Sequence, residues 1–225
     1  MPTWTRLLQQ TFGVIATGAL SLGGVGTAGA VTYDFDKILA GGGGGPNVDP
    51  KRQQYIRRAG THMCVDVRGS STPPANRVMF TIWHNSPHPK SRIAGIAIDT
   101  GRHTNLFSNV TVLVHTPSVK PKITPRKGHA FLPGLSFEYW IDLADPGGLA
   151  PGNTIVLAAT LGSGKTLADV VSALNEGVNP ATAATGLRIG VMAIYLLGGP
   201  PPGVATISDD GGWVVNGVSA RCGAR

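Results

Sequence analysis

Charge and aromatic rings are both scarce in this chain: 14% of its 225 residues are charged, 6% are aromatic, and there are two cysteines. The longest apolar stretches, 12–22 and 187–197, fall short of the roughly 20 residues a membrane helix needs, and the second contains Arg188. A transmembrane segment is therefore not expected. No Gly-x-Ser-x-Gly elbow is present, so a hydrolase nucleophile has no local signature. What is abundant is glycine and proline, 32 and 17 residues. Together they are about a fifth of the chain, which favours short elements and many turns over long helices. The apolar fraction of 42% and a net charge of +7 are those of a folding chain rather than a disordered one. The length suits one domain.

Charge is almost absent from the first thirty residues, where Arg6 stands alone before the apolar run 12–22 and the small-residue exit Ala28-Gly29-Ala30. A positive start, an apolar middle and a small-x-small exit are the three parts of a secretory signal peptide. Cleavage is expected after Ala30. A buried N-terminal helix is the alternative reading, but glycines at 13, 18, 23, 24, 26 and 29 would each cost it about 1 kcal/mol relative to alanine. Removal of residues 1–30 leaves 195 residues with a net charge of +6. Residues 31–50, with five consecutive glycines at 41–45, read as a flexible tether before a domain spanning 51–225. Tyr33, Phe35 and Ile38 offer an alternative as an edge strand. In an oxidising compartment a lone cysteine pair implies a disulfide, so Cys64 and Cys222 are expected to be joined.

From Met63 onward, short runs rich in Val, Ile, Phe and Thr alternate with turn residues. The run 77–84 (R-V-M-F-T-I-W-H) alternates with period two and reads as a strand with both faces partly covered. The runs 93–99, 110–115, 137–143, 154–160, 187–196 and 212–215 read likewise. One helix is expected near 167–176: Thr166 and Asp169 form a capping-box pattern, Leu167, Val170, Val171 and Leu174 recur at helical spacing, and Gly177 follows as the stop. Seven or more strands with one amphipathic helix suggest a mostly β fold, an antiparallel β-sandwich of jelly-roll or immunoglobulin-like type.

The segments Leu149-Ala150-Pro151-Gly152, 154–159, 164–174 and 187–191, with the earlier Ile93-Ala94-Gly95-Ile96-Ala97-Ile98-Asp99-Thr100-Gly101, resemble exported bacterial proteins of the PEP-CTERM group. The resemblance spans about residues 77–197. It implies a signal peptide, a β-rich extracellular domain and a role in the cell envelope or exopolysaccharide matrix, and it brings no catalytic motif. Residues 217–225 carry no Pro-Glu-Pro sorting signal.

Four patterns carry some chemistry. Ala159-Thr-Leu-Gly-Ser-Gly164-Lys165-Thr166 satisfies a loose phosphate-loop pattern between a strand and a helix. Alanine replaces its first glycine, and local capping by Thr166 explains the same letters. His84 and His88 are four apart, as are Asp99 and His103, but Pro87 and Pro89 forbid a zinc-binding helix at the first pair. These four are the candidates for a hydrolase site assembled from loops. Glu138 and Asp142 share a strand face at a separation of about 13 Å, too far for either glycosidase geometry. The stretch 119–129 places Lys120, Lys122, Arg126 and Lys127 on a proline-stiffened connection with no acid between them. Such a connection suits salt-sensitive binding of acidic polysaccharide or an anionic envelope surface. Nucleic acid is not expected, because no aromatic residues interleave with the cations.

The sequence thus reads as a secreted, non-catalytic structural or adhesive module of the bacterial envelope or matrix, located in the periplasm, at the cell surface or outside. No metal or cofactor is expected. The alternative is a secreted hydrolase.

Overall fold

The computed structural model describes residues 30–41, 62–71, 75–87, 89–115, 117, 119–132, 135–143, 147–179, 181–194 and 211–218, with the backbone alone at 36–41, 126–132, 135–136, 211–213 and 218. Its strands are β1 (Val31–Gly41), β2 (Met63–Gly69), β3 (Arg77–His84), β4 (Arg92–Asp99), β5 (Phe107–Val114), β6 (Lys122–Leu132), β7 (Leu135–Asp142), β8 (Thr154–Leu161), β9 (Arg188–Ile194) and β10 (Gly211–Val218). Among the described residues one helix, α1 (Leu167–Val178), lies between β8 and β9.

All ten strands join one sheet in the order β5-β8-β3-β2-β1-β10-β9-β4-β7-β6. Every pairing is antiparallel. Among the described residues the expected mostly β, antiparallel architecture with one short helix is present. Its layers, however, are not two hydrogen-bonded sheets. A single continuous sheet curls until it is nearly barrel-like, and its terminal strands β5 and β6 are consecutive in the chain.

The period-two pattern of β3 sets the geometry: Val78, Phe80 and Ile82 are fully buried, while Met79, Thr81 and Trp83 on the opposite face are partly exposed. One core cluster unites these side chains with Val65 and Val67 of β2, Ile96 and Ile98 of β4, Leu157 of β8, and Ile189 and Val191 of β9. Phe80 and Phe107 meet edge to face at 5.8 Å inside it. A second, small cluster of Ala97, Phe137 and Val215, with Trp140 and Met192 against it, lies apart from that core.

Residues 31–41, expected to begin a flexible tether, form a sheet strand near the middle of the order instead. The difference has a simple cause. Tyr33 and Phe35 are 3% and 0% exposed, and β1 is flanked on both sides, by β2 and β10. Neighbours on both sides satisfy backbone groups that the edge-strand alternative would have left open. Residues 42–50 of the expected tether lie outside the described residues.

The helix begins as its sequence indicates. Thr166 Oγ1 accepts from the Asp169 backbone at 3.3 Å, and the Thr166 backbone donates to Asp169 Oδ2 at 2.7 Å, closing the capping box. Gly177 does not end the helix. It lies inside α1, where a side chain would sit 2.1 Å from the Leu187 carbonyl oxygen, so its role is close approach to the start of β9. Among the described residues no helix is long and apolar enough to cross a membrane.

Candidate functional site

Antiparallel pairing assigns each connection to one of two rims. The β3–β4 and β7–β8 connections open on one rim, the β4–β5 connection and α1 on the other. A strand of eight residues separates the rims by roughly 23 Å.

His84 completes the inward row of β3 at the first rim and is fully buried. Its Nδ1 lies 3.0 Å from the Leu149 carbonyl oxygen, and its Nε2 3.1 Å from Ser91 Oγ. A carbonyl can only accept, so Nδ1 carries the proton and Nε2 accepts from the serine hydroxyl. Burial pushes the imidazole from 6.5 down to about 4, with Arg92 and His62 adding to the effect and the Leu149 bond opposing it. The serine–imidazole pair has the atoms of a nucleophile and its base. Ser91 and His84 are nonetheless both 0% exposed, so the pair joins the 149 turn and the start of β4 to the end of β3 rather than meeting a substrate. Sequence reasoning missed Ser91, which has no motif around it.

Asp99 and His103 are at the other rim, so the four residues considered for a hydrolase do not converge; His88 lies outside the described residues. Asp99 is buried against Arg188, and its Oδ1 accepts from the Gly101 backbone at 2.9 Å. His103 Nε2 lies 3.1 Å from Glu176 Oε2, and Arg102 reaches the same carboxylate at 3.1 Å. These bonds fasten the β4–β5 turn to α1. Together they hold the Glu176 carboxyl below its usual range, the His103 bond foremost. Among the described residues no group of three His, Cys, Asp or Glu is placed to hold a metal.

The phosphate-loop letters serve the helix cap. Gly164 has φ of +72°, Lys165 is exposed, and Asp169 bonds Thr166 through both backbone and hydroxyl, at 2.7 and 2.8 Å. A carboxylate therefore already occupies the helix N-terminus where a phosphate would bind.

The basic stretch is not a free-standing loop. Lys122, Arg126 and Lys127 belong to β6, at one end of the sheet order, and Lys120 precedes it. Lys120 and Lys122 are exposed, while Val119 between the two edge strands is fully buried and anchors the connection. Between Pro125 and His129 the register slips against β7, so Arg126, Lys127 and Gly128 form an irregular bulge. Proline breaks the strand-forming pattern of this stretch, and an edge is where a sheet tolerates proline. The sheet also supplies acid that the linear sequence did not show nearby: Asp142 is the register partner of Lys122. Glu138 and Asp142 lie on β7 on either side of Trp140, all three partly exposed. The Trp140 ring fills the space a side chain at Gly95 would take, 2.0 Å from such an atom, and stands 5.9 Å from Phe137.

Cys64 is 3% exposed on β2, and Cys222 lies outside the described residues. Among the described residues there is no free cysteine.

No known protein family, no characterised protein and no solved structure matches this chain.

Proposed function

We propose that this chain is an exported, non-catalytic module of the bacterial envelope or extracellular matrix that holds acidic polysaccharide along its β6 edge. The observation that carries the reading is the exposure of Lys122 at the start of an edge strand that continues into Arg126 and Lys127, and of Lys120 just before that strand. Cations along a sheet edge present a row of charge to a linear polyanion, with attraction that fades beyond about 8 Å at physiological salt. The net charge of +6 left after cleavage points the same way.

Export is supported by the position of β1, which begins at Val31, so cleavage after Ala30 leaves the whole strand in place. The Cys64–Cys222 bridge is supported by register. Asp34 pairs with Cys64 and Tyr33 with Val218, which puts the end of β10 two strand spacings, about 10 Å, from β2. Four peptide steps from Val218 to Cys222 reach up to about 14 Å, enough to bring the two Cα atoms within the roughly 4.4–6.8 Å a disulfide requires. Cys64 shares its strand face with Asp66 and exposed Arg68, apart from core residues Met63, Val65 and Val67, so its burial is not core packing. A sandwich-like flattening of the curled sheet, of jelly-roll or immunoglobulin-like type, belongs to the same proposal; the larger of the two core clusters, shared by both halves of the strand order, supports it.

Retention of the mature chain on immobilised polyuronate tests the reading. Wild type is expected to elute at raised salt, and the Lys120→Ala/Lys122→Ala/Arg126→Ala/Lys127→Ala variant to pass through unretained. Equal retention of both proteins would overturn it.

A further inference from the structure

The two edges of the sheet are built differently. β6 carries Pro125 and lysines at and before its start, a bulge at 126–128 and a further proline at 121. Prolines, lysines and bulges are the devices by which natural sheets prevent edge-to-edge pairing. β5 (F-S-N-V-T-V-L-V) contains no charge, no proline and no glycine. Its register irregularities fall at Phe107/Asn109 and Val112/Val114, leaving Asn109–Val112 regular between them. Leu113 and Val114, 47% and 58% exposed, are the exposed large hydrophobic residues among the described residues, and both lie on this strand. The adjoining strand β8 (T-I-V-L-A-A-T-L) is also uncharged. A molecule of positive balance therefore has one uncharged, largely apolar sheet edge free of proline and lysine, with a regular stretch at Asn109–Val112 between its two irregularities.

We propose that β5 is the dimerisation edge, pairing antiparallel with β5 of a second copy about a two-fold axis. The occupant follows from the strand itself. A six-residue stretch of high β-propensity without charge, proline or glycine, here N-V-T-V-L-V, is the kind of segment that pairs with its own copies. Two positively charged molecules repel each other at most surfaces, and the β5–β8 edge lets them approach with no lysine or arginine of either strand between them. The same contrast selects a closed pair over a filament. Joining β5 of one copy to β6 of the next would generate an open chain, and Pro125 with the 126–128 bulge blocks the β6 half of that contact. The dimer places two basic β6 edges on one particle, so a polysaccharide binder becomes a cross-linker with avidity. That consequence rests on the proposed polysaccharide function; the dimer does not.

Sedimentation equilibrium of the mature, oxidised chain from about 1 to 200 μM tests the inference. Wild type is expected to reach twice the chain mass. Leu113→Lys/Val114→Lys, both at exposed positions, is expected to stay at the single-chain mass with an unchanged circular dichroism spectrum. As a second variant, Pro125→Thr/Lys122→Val is expected to shift the wild-type dimer towards larger species by unblocking β6. A wild type that remains monomeric throughout, or a double-lysine variant that dimerises as tightly as wild type, would overturn the proposal. Neither result decides whether polysaccharide is bound, which the comparison of wild type with the Lys120→Ala/Lys122→Ala/Arg126→Ala/Lys127→Ala variant reports.

Discussion

Acid should weaken this fold in a defined window because His84 is held neutral inside it. The imidazole is fully buried, accepts from Ser91, donates to the Leu149 carbonyl, and is pushed from 6.5 to about 4. The unfolded chain therefore binds a proton at this residue at a higher pH than the folded one does. Stability from this group is complete above pH 6.5 and is lost as pH falls from 6.5 towards 4. A displacement of that size corresponds to about 3 kcal/mol, or roughly 6–12 °C in melting temperature for a domain of this length. Urea unfolding of wild type and His84→Gln at intervals from pH 7 to pH 4 reads the effect. The wild-type unfolding free energy should fall across the window, and the variant, less stable at pH 7, should show a shallower slope. Parallel slopes in the two proteins would refute the reasoning, since the dependence would then come from other groups.

Two substitutions test the packing of the opposite rim. Gly177→Ala should cost about 1–3 kcal/mol by overpacking, because the new carbon would sit 2.1 Å from the Leu187 carbonyl oxygen; thermal melts check it, and an unchanged midpoint would show that α1 does not press on β9. Asp99→Asn should cost about 3–5 kcal/mol, since it leaves the Arg188 guanidinium buried without its counter-charge. Equilibrium denaturation reads that loss, and a change within about 0.5 kcal/mol would remove the pair from the account.

Much of the sheet was legible because its strands alternate cleanly. The run 77–84 coincides with β3, and the runs at 93–99 and 154–160 each differ from β4 and β8 by one residue. The helix start was legible for a local reason, the reciprocal bonds of Thr166 and Asp169. β2 carries the same alternation in Met63, Val65 and Val67, at the start of the region where the sequence shows strand-like runs. β1 was legible only as the edge-strand alternative of Tyr33, Phe35 and Ile38, and β6 was hidden by its composition. Glycines follow β1 and favour a tether, and prolines and lysines interrupt β6, so the pairing partners decide both strands. Long-range pairs were beyond sequence spacing altogether: Ser91 meets His84 across a connection, Asp99 meets Arg188 across 89 positions, and Lys122 faces Asp142 only because β6 and β7 pair.

The account stands on the chain working outside the reducing cytosol, and the intact mass of protein recovered from the producing cell's exterior tests that most directly. A mass beginning at Val31 and two protons below the fully reduced value is the expected result. Recovery only from inside the cell, full-length and with both sulfurs open to alkylation, would contradict it.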